Sequence, residues 1–249
     1  MLDYDREAER YDATRGGDAR ARAAAEAIET LISHAPARVV DVACGTGIVT
    51  VRLVRPGRSV IGIDRSAGMA AIAAARLPGR ITLGDAACLP LTSASADMVT
   101  MVWLLHLLDH AASASALAEA GRVLRPDGLL ITTVGREDAT YGQADDAAAI
   151  VQPVRARFEH EPTDSLDRVC DIGRRHSLDL AARTTFTGVG QGLSPRQWRK
   201  LLRRDETGWT AAAGRERLDA LCAALEALPE QDRPRPDPVY QLVALRKGR

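Results

Sequence analysis

Residues Val39 to Thr50, VVDVACGTGIVT, decide how this chain is read. Val39, Val40 and Val42 are β-branched and read as a buried strand. Ala43 to Gly47 is a tight loop of small residues. Ile48, Val49, Val51 and Val54 then supply the apolar stripe of a short helix. Gly45 and Gly47 lack a Cβ, so the backbone can turn sharply and approach a ligand closely. A dinucleotide site would want G-x-G-x-x-G with pyrophosphate on the helix N-terminus, but the third position is Thr50. Asp41, near the strand end, argues further against a doubly charged pyrophosphate. Its carboxylate suits a ligand with a positive centre, such as a sulfonium or an ammonium group. An ordinary strand-to-helix turn is the competing reading of this stretch taken alone.

The flanking segments repeat a strand–helix alternation. Ser59 to Asp64, SVIGID, is a second strand ending in an acid 17 residues after Gly47. In a doubly wound sheet such an acid commonly receives the two hydroxyls of a ribose. Ser66 can cap a following helix with Met69, Ile72 and Ala73 on its apolar face. Arg80 to Leu83 is a third strand, and Asp85 just after it could accept from an adenine amino group. Ser95 to Trp103 is a fourth strand, followed by His106, Asp109 and His110. Leu117, Ala120, Gly121 and Leu124 mark a helix face. Arg125-Pro126-Asp127-Gly128 reads as a type I turn into a fifth strand, Leu129 to Val134. Five β–α units predict a parallel sheet covered by helices on both faces.

Upstream, Leu2 to Arg15 reads as an amphipathic helix with Tyr4, Ala8 and Tyr11 on one face. It is either a surface helix or a lid hinged at Gly16-Gly17. Asp18 to His34 is an alanine-rich helix with Asp18 as its N-cap. Downstream, Asp145 to Glu159 looks helical, Asp167 to Ser177 is a helix and Leu180 to Thr187 a strand. Ser194 caps a helix with Pro195 in its first turn. Arg215 to Leu228 is a helix and Val239 to Leu245 the last strand. Trp103, Trp198, Trp209 and Tyr141 could wall an apolar pocket, though core packing is the commoner use of each.

Composition narrows the class. The 249 residues are 46% hydrophobic and 27% charged, as expected of a soluble globular protein. A chain this long can bury roughly 70–75% of its unfolded surface without metal or disulfide. The formal net charge is zero, which disfavours nucleic acid. All but two of the 33 basic residues are arginine, a bias that lowers the weight of any one arginine cluster. Cys44, Cys88, Cys170 and Cys222 are scattered, so no metal site is expected and reduced thiols in a cytoplasmic protein are. The N-terminus shows no signal-peptide core. The longest apolar run, Met98 to Leu108, is too short to span a bilayer.

At this point the chain resembles the class I S-adenosylmethionine-dependent methyltransferases, near the small-molecule branch that includes the ubiquinone/menaquinone type. The matching stretches are DVACGTG (41–47), the terminal Asp64 of VIGID, GDAACLPL (84–91), ADMVTMVWLLHLLDH (96–110) and RVLRPDGLLITT (122–133). YDREAERYDATRGGD (4–18) resembles that branch's lid. The resemblance implies a doubly wound, three-layer Rossmann-like sandwich with a mostly parallel seven-stranded sheet and an antiparallel last strand. It implies one domain: a lid over residues 1–35, a cofactor-binding core over 36–135, a candidate substrate cap over 136–165, and the rest of the sheet over 166–249.

It also implies roles. Asp41, Ala43, Gly45 and Gly47 line the methionine moiety of S-adenosylmethionine, and Asp64 holds the ribose. Arg65 and Met69 flank the adenine, while Asp85 and Ala86 read its edge. Met101 lies under the cofactor, and Tyr11 and Arg15 close over the methionyl carboxylate. His106 is the candidate base for an oxygen nucleophile; a loop hydrogen bond is its plainer use. The partner is a small-molecule methyl acceptor, with neither nucleic acid nor membrane. The sequence departs from the branch at Leu107, where a second histidine is common, and at Asp127, where the usual turn is P-G-G. The competing functions are a non-methylating S-adenosylmethionine binder (a regulator or a pericyclase-type scaffold) and a nicotinamide redox enzyme.

Overall fold

A computed structural model describes residues 3–158, 161–204 and 208–249. In chain order the elements are α1 (Tyr4–Thr14), α2 (Gly17–Thr30), β1 (Arg38–Val42), β2 (Ser59–Asp64), α3 (Ala67–Arg76), β3 (Ile81–Leu83), β4 (Ala96–Met101), α4 (His110–Val123), β5 (Leu124–Val134), α5 (Arg136–Tyr141), α6 (Asp146–Arg155), α7 (Leu166–Arg175), β6 (Leu178–Thr187), α8 (Pro195–Arg204), α9 (Gly208–Ala213), α10 (Arg215–Glu226) and β7 (Val239–Lys247). The sequence-predicted starts at Leu2 and end at Glu159 fall outside the described residues.

One seven-stranded sheet has the order β3-β2-β1-β4-β5-β7-β6. The pairs from β3 to β5 are parallel, and β7 runs antiparallel to both β5 and β6. Alternation along the strands feeds two layers. Val40, Val42, Val99, Met101, Leu130 and Val243 pack with Leu117 of α4 and Val169 and Ile172 of α7. Val39, Met98, Leu129, Ile131 and Leu242 pack with the alanines and Ile28 of α2. Successive side chains must point to opposite faces, so each buried strand reads as a continuous apolar run. The strand order reverses between β1 and β4, and in such sheets a crevice opens there beyond the carboxyl ends.

A third cluster stands apart from the sheet. Tyr141, Val151, Trp198, Leu202, Trp209, Leu221 and Leu225 pack together, joining α6 to α8, α9 and α10. This cluster draws its side chains from two segments of the chain, residues 141–158 and 193–228. Trp198, Trp209 and Tyr141 are its core.

Some local expectations differ. The segment after the glycine loop is only a short 3-10 turn, Thr50–Leu53, not an α-helix. Consecutive β-branched residues from Ile48 to Val51 crowd a helix, and Thr50 turns its hydroxyl to Asp41. Asp18 lies inside the first turn of α2; the N-cap is Gly16, at φ 83°. Asp127 sits at φ 64°, so its turn is not the type I form. Among the described residues, no helix is long and apolar enough to cross a membrane.

Candidate functional site

The crevice at the β1/β4 reversal opens into a cavity of about 760 Å³. Its floor is the glycine loop. Ala43 (φ 55°), Gly45 (φ 56°) and Gly47 (φ 74°) all take left-handed backbone there. A Cβ built on Gly45 would meet nothing within 4 Å, because this residue faces the cavity. A Cβ on Gly47 would instead lie 3.1 Å from that of Ala73, so this glycine lets α3 pack against the loop.

Three carboxylates stand around the floor. Asp41 is buried and accepts from Thr50 Oγ1 at 2.5 Å and Thr100 Oγ1 at 2.7 Å. Burial pushes its pKa up to about 6; the two hydroxyls oppose that shift and the charge of Asp64 adds to it. Asp64, at the tip of β2, accepts from the Gly45 N–H at 2.8 Å and the Ser66 N–H at 2.9 Å. One carboxylate thereby ties the loop to the start of α3. Asp85, just past β3, accepts from the Ala87 N–H at 2.8 Å. Arg65, Met69 and Ala86 line the space between these two acids.

Helix α1 lies across the opening, fixed at two points. Asp5 accepts from Ser66 Oγ at 2.5 Å and from the Gly68 N–H at 2.8 Å, at the N-terminus of α3. Asp12 accepts from Thr46 Oγ1 at 2.6 Å and from Arg76 at 2.6 Å. Tyr4 and Tyr11 line the cavity beneath it, their rings 6.2 Å apart. The amphipathic pattern places the tyrosines; the two aspartates, which fasten the helix, carried no signal in the sequence.

The opposite wall is made of donors. Arg20, in the first turn of α2, is 8% exposed and stacks on the Trp103 ring with Cζ 3.6 Å from its centroid. Trp103 follows β4 at φ 58°, is anchored by its N–H to Thr133 Oγ1 at 2.8 Å, and packs edge-on against Phe186 and Tyr240. Its indole Nε1 is buried without a hydrogen-bond partner, as is His106 Nδ1. Burial pushes the His106 pKa down to about 3, with help from Arg136, Arg20 and Arg15. Such an imidazole is neutral at ordinary pH but a weak proton acceptor, whereas an efficient base has a pKa near the working pH.

The cavity thus brings together Tyr11, Asp41, Ala43, Gly45, Asp64, Arg65, Met69, Asp85, Ala86 and His106. Arg15, Gly47 and Met101 do not line it. Met101 is fully buried against the α4 layer, as strand alternation after Val99 requires. Arg15 ends α1 with its guanidinium 5.8 Å from the Tyr11 ring. Sequence reasoning passed over Arg20. Its position, nine residues after Tyr11 on an alanine-rich helix, resembles that of any surface arginine.

Known proteins resemble this chain over its sheet core. Residues 40–132 match the family described as a methyltransferase domain. An uncharacterized methyltransferase of Mycobacterium tuberculosis is 36% identical over 149 residues, covering 57% of this chain and 60% of the relative. A demethylmenaquinone methyltransferase of Mycolicibacterium vanbaalenii is 37% identical over 135 residues, covering 51% of this chain and 56% of that one. The chain spans less than two thirds of the length of these curated relatives. The solved structure of an S-adenosylmethionine-dependent methyltransferase of Methanosarcina mazei superposes with a TM-score of 0.55 over 89% of this chain and 96% of that one, at 14% identity. By the match over residues 40–132 the core of this chain is similar to the methyltransferase domain, and its sheet is that of the solved methyltransferase structures.

Proposed function

We propose that the protein transfers a methyl group from S-adenosylmethionine to a small organic acceptor bound in the same cavity. The observation that carries this reading is the open space over Gly45 with Asp41, Asp64 and Asp85 around it. The space is a cradle that any side chain at position 45 would fill, and its acids suit a nucleoside with a cationic tail. Asp64 has backbone donors on its inner side and would take the ribose hydroxyls from the other. Asp85 and Ala86 would meet the adenine edge, with Met69 and Arg65 against the ring. Asp41 would complement the cationic end, and Tyr11 would cover it. Gly47 shapes the loop and Met101 supports it from the core side, while Arg15 would reach the methionyl carboxylate from the end of α1.

The bound cofactor supplies an electrophilic methyl group. The protein's contribution is to hold an acceptor atom in line with it, which by proximity alone supplies about 7–11 kcal/mol of barrier lowering. Helix α1, fastened at both ends, excludes water during that encounter. His106 would meet the acceptor as a neutral hydrogen-bonding group, and a low pKa makes it a poor proton sink.

Calorimetry with S-adenosylhomocysteine and with NAD tests the cofactor. S-adenosylhomocysteine should bind and NAD should not. A panel of small acceptors, scored by S-adenosylhomocysteine release, tests the transfer. Binding without release from any acceptor would leave a cofactor-binding protein that does not methylate, and preferential NAD binding would overturn the reading.

A further inference from the structure

The cavity has two chemically distinct ends. Asp3, Asp5, Asp41, Asp64 and Asp85 line it, yet each accepts hydrogen bonds from other groups. Arg20 forms no ion pair with any carboxylate among the described residues, although it is 8% exposed and lines the cavity. A guanidinium is costly to bury without a counter-charge. Its face is covered by the Trp103 indole and it hydrogen-bonds the neutral Tyr11 side chain, which leaves the guanidinium without a counter-charge. Two other residues that line the cavity carry a buried polar atom with no hydrogen-bond partner, Trp103 Nε1 and His106 Nδ1. Indole nitrogen only donates, and a neutral imidazole with its proton on Nδ1 donates too.

We propose that the methyl acceptor is a small carboxylic acid whose carboxylate is held by Arg20, with the N–H groups of Trp103 and His106 completing the subsite. This rests on the methyl-transfer reading above and adds the class of acceptor to it. A single planar fork flanked by single donors matches a carboxylate, which takes two parallel N–H bonds from one guanidinium. The charges of Arg15 and Arg136 bear on the same region: both add to the burial that lowers the His106 pKa, and both oppose the burial that raises the Tyr240 pKa. They would favour an anion over its neutral analogue before any contact is made. The subsite is also rigid. Trp103 packs against both Phe186 and Tyr240, which also pack on each other, and the Tyr240 hydroxyl donates to Gln191 Oε1 at 2.6 Å.

The test is calorimetry on the S-adenosylhomocysteine-loaded protein with matched pairs: benzoate, cinnamate and glutarate against their amides. At least one acid should bind about 10- to 150-fold more tightly than its amide, the range for a charge-assisted hydrogen bond. Arg20→Met should erase that preference, and Arg20→Lys should keep part of it. Trp103→Phe, which keeps the stacking and removes the N–H, should weaken the acid alone. Acids that bind no better than their amides, or not at all, overturn the proposal. It is also overturned if Arg20→Met weakens S-adenosylhomocysteine but spares 5′-methylthioadenosine, which lacks the amino-acid carboxylate; Arg20 would then belong to the cofactor. Failure of S-adenosylhomocysteine to bind the unmodified protein would instead be a failure of the methyl-transfer reading, and is observed before any acid is added.

Discussion

Asp41 shows how one buried carboxylate links binding, stability and pH. Its pKa is raised from 3.8 to about 6, so the folded state keeps a proton that the unfolded chain has lost between those values. Its contribution to stability is complete below pH 3.8 and is lost as the pH rises through about 6. At pH 7 the ionised group therefore costs about 3 kcal/mol. Asp41→Asn should raise stability by up to that amount in urea denaturation at pH 7.5, with the gain falling below about 1 kcal/mol at pH 4. The same substitution should weaken S-adenosylhomocysteine, whose amino group is cationic. In the unmodified protein, affinity for that ligand should fall below pH 6 by up to about tenfold per unit, read by calorimetry at pH 5 and 7.5. Asp64 acts differently, through hydrogen bonds. Asp64→Ala removes the carboxylate proposed to take the ribose hydroxyls and should weaken S-adenosylhomocysteine binding about 10- to 150-fold. An unchanged dissociation constant would place the ribose elsewhere.

At the scale of elements, α1 matters most. It is joined to the sheet domain by Asp5 at the start of α3 and by Asp12 on Thr46 and Arg76. These contacts are half-exposed, so each holds the helix only moderately. Asp12→Ala should speed amide exchange in residues 4–14 by roughly tenfold, the effect of losing about 1–1.5 kcal/mol. Exchange in β1 and β4 should stay as it was. The helix, its tyrosine face and the glycine pair that ends it were legible in the sequence, because 3.6-residue periodicity and paired glycines are local signals. The aspartates that fasten it were not, since their partners lie 34 to 64 residues away. The 3-10 turn after the glycine loop was misread for a related reason. An apolar stripe suits either helix, and the choice between them was made by the β-branched crowding from Ile48 to Val51 and by the Thr50 hydroxyl turned to Asp41. Strands β1, β2, β4 and β5 were legible as apolar runs with acids or turns at their ends. The second, separate cluster of α6 with α8, α9 and α10 was not, because each helix shows its own stripe but not what that stripe meets.

For the whole molecule, the parallel core with its reversal at β1/β4 makes one cavity the meeting point of four strand ends, three helices and the loop after β4. A ligand there touches elements from the whole first half of the chain, so binding should stabilise the domain as a unit. S-adenosylhomocysteine at about 100 times its dissociation constant adds about 2.7 kcal/mol. For a domain of this size that is a rise in melting temperature of about 5–10 °C by calorimetric scan. The acidic and donor ends of the cavity are a property of the assembled molecule. Asp41, Asp64 and Asp85 were readable from their places at or just past strand ends, but Arg20 and Trp103 meet only when α2 closes against β4.

The most direct measurement is a crystal structure of the full chain with S-adenosylhomocysteine. The account predicts ribose hydroxyls on Asp64, the adenine edge at Asp85 and Ala86, and the amino-acid tail over Gly45 toward Asp41. Ligand density outside that cavity, or a nucleoside turned so that Asp64 meets no ribose oxygen, would contradict it.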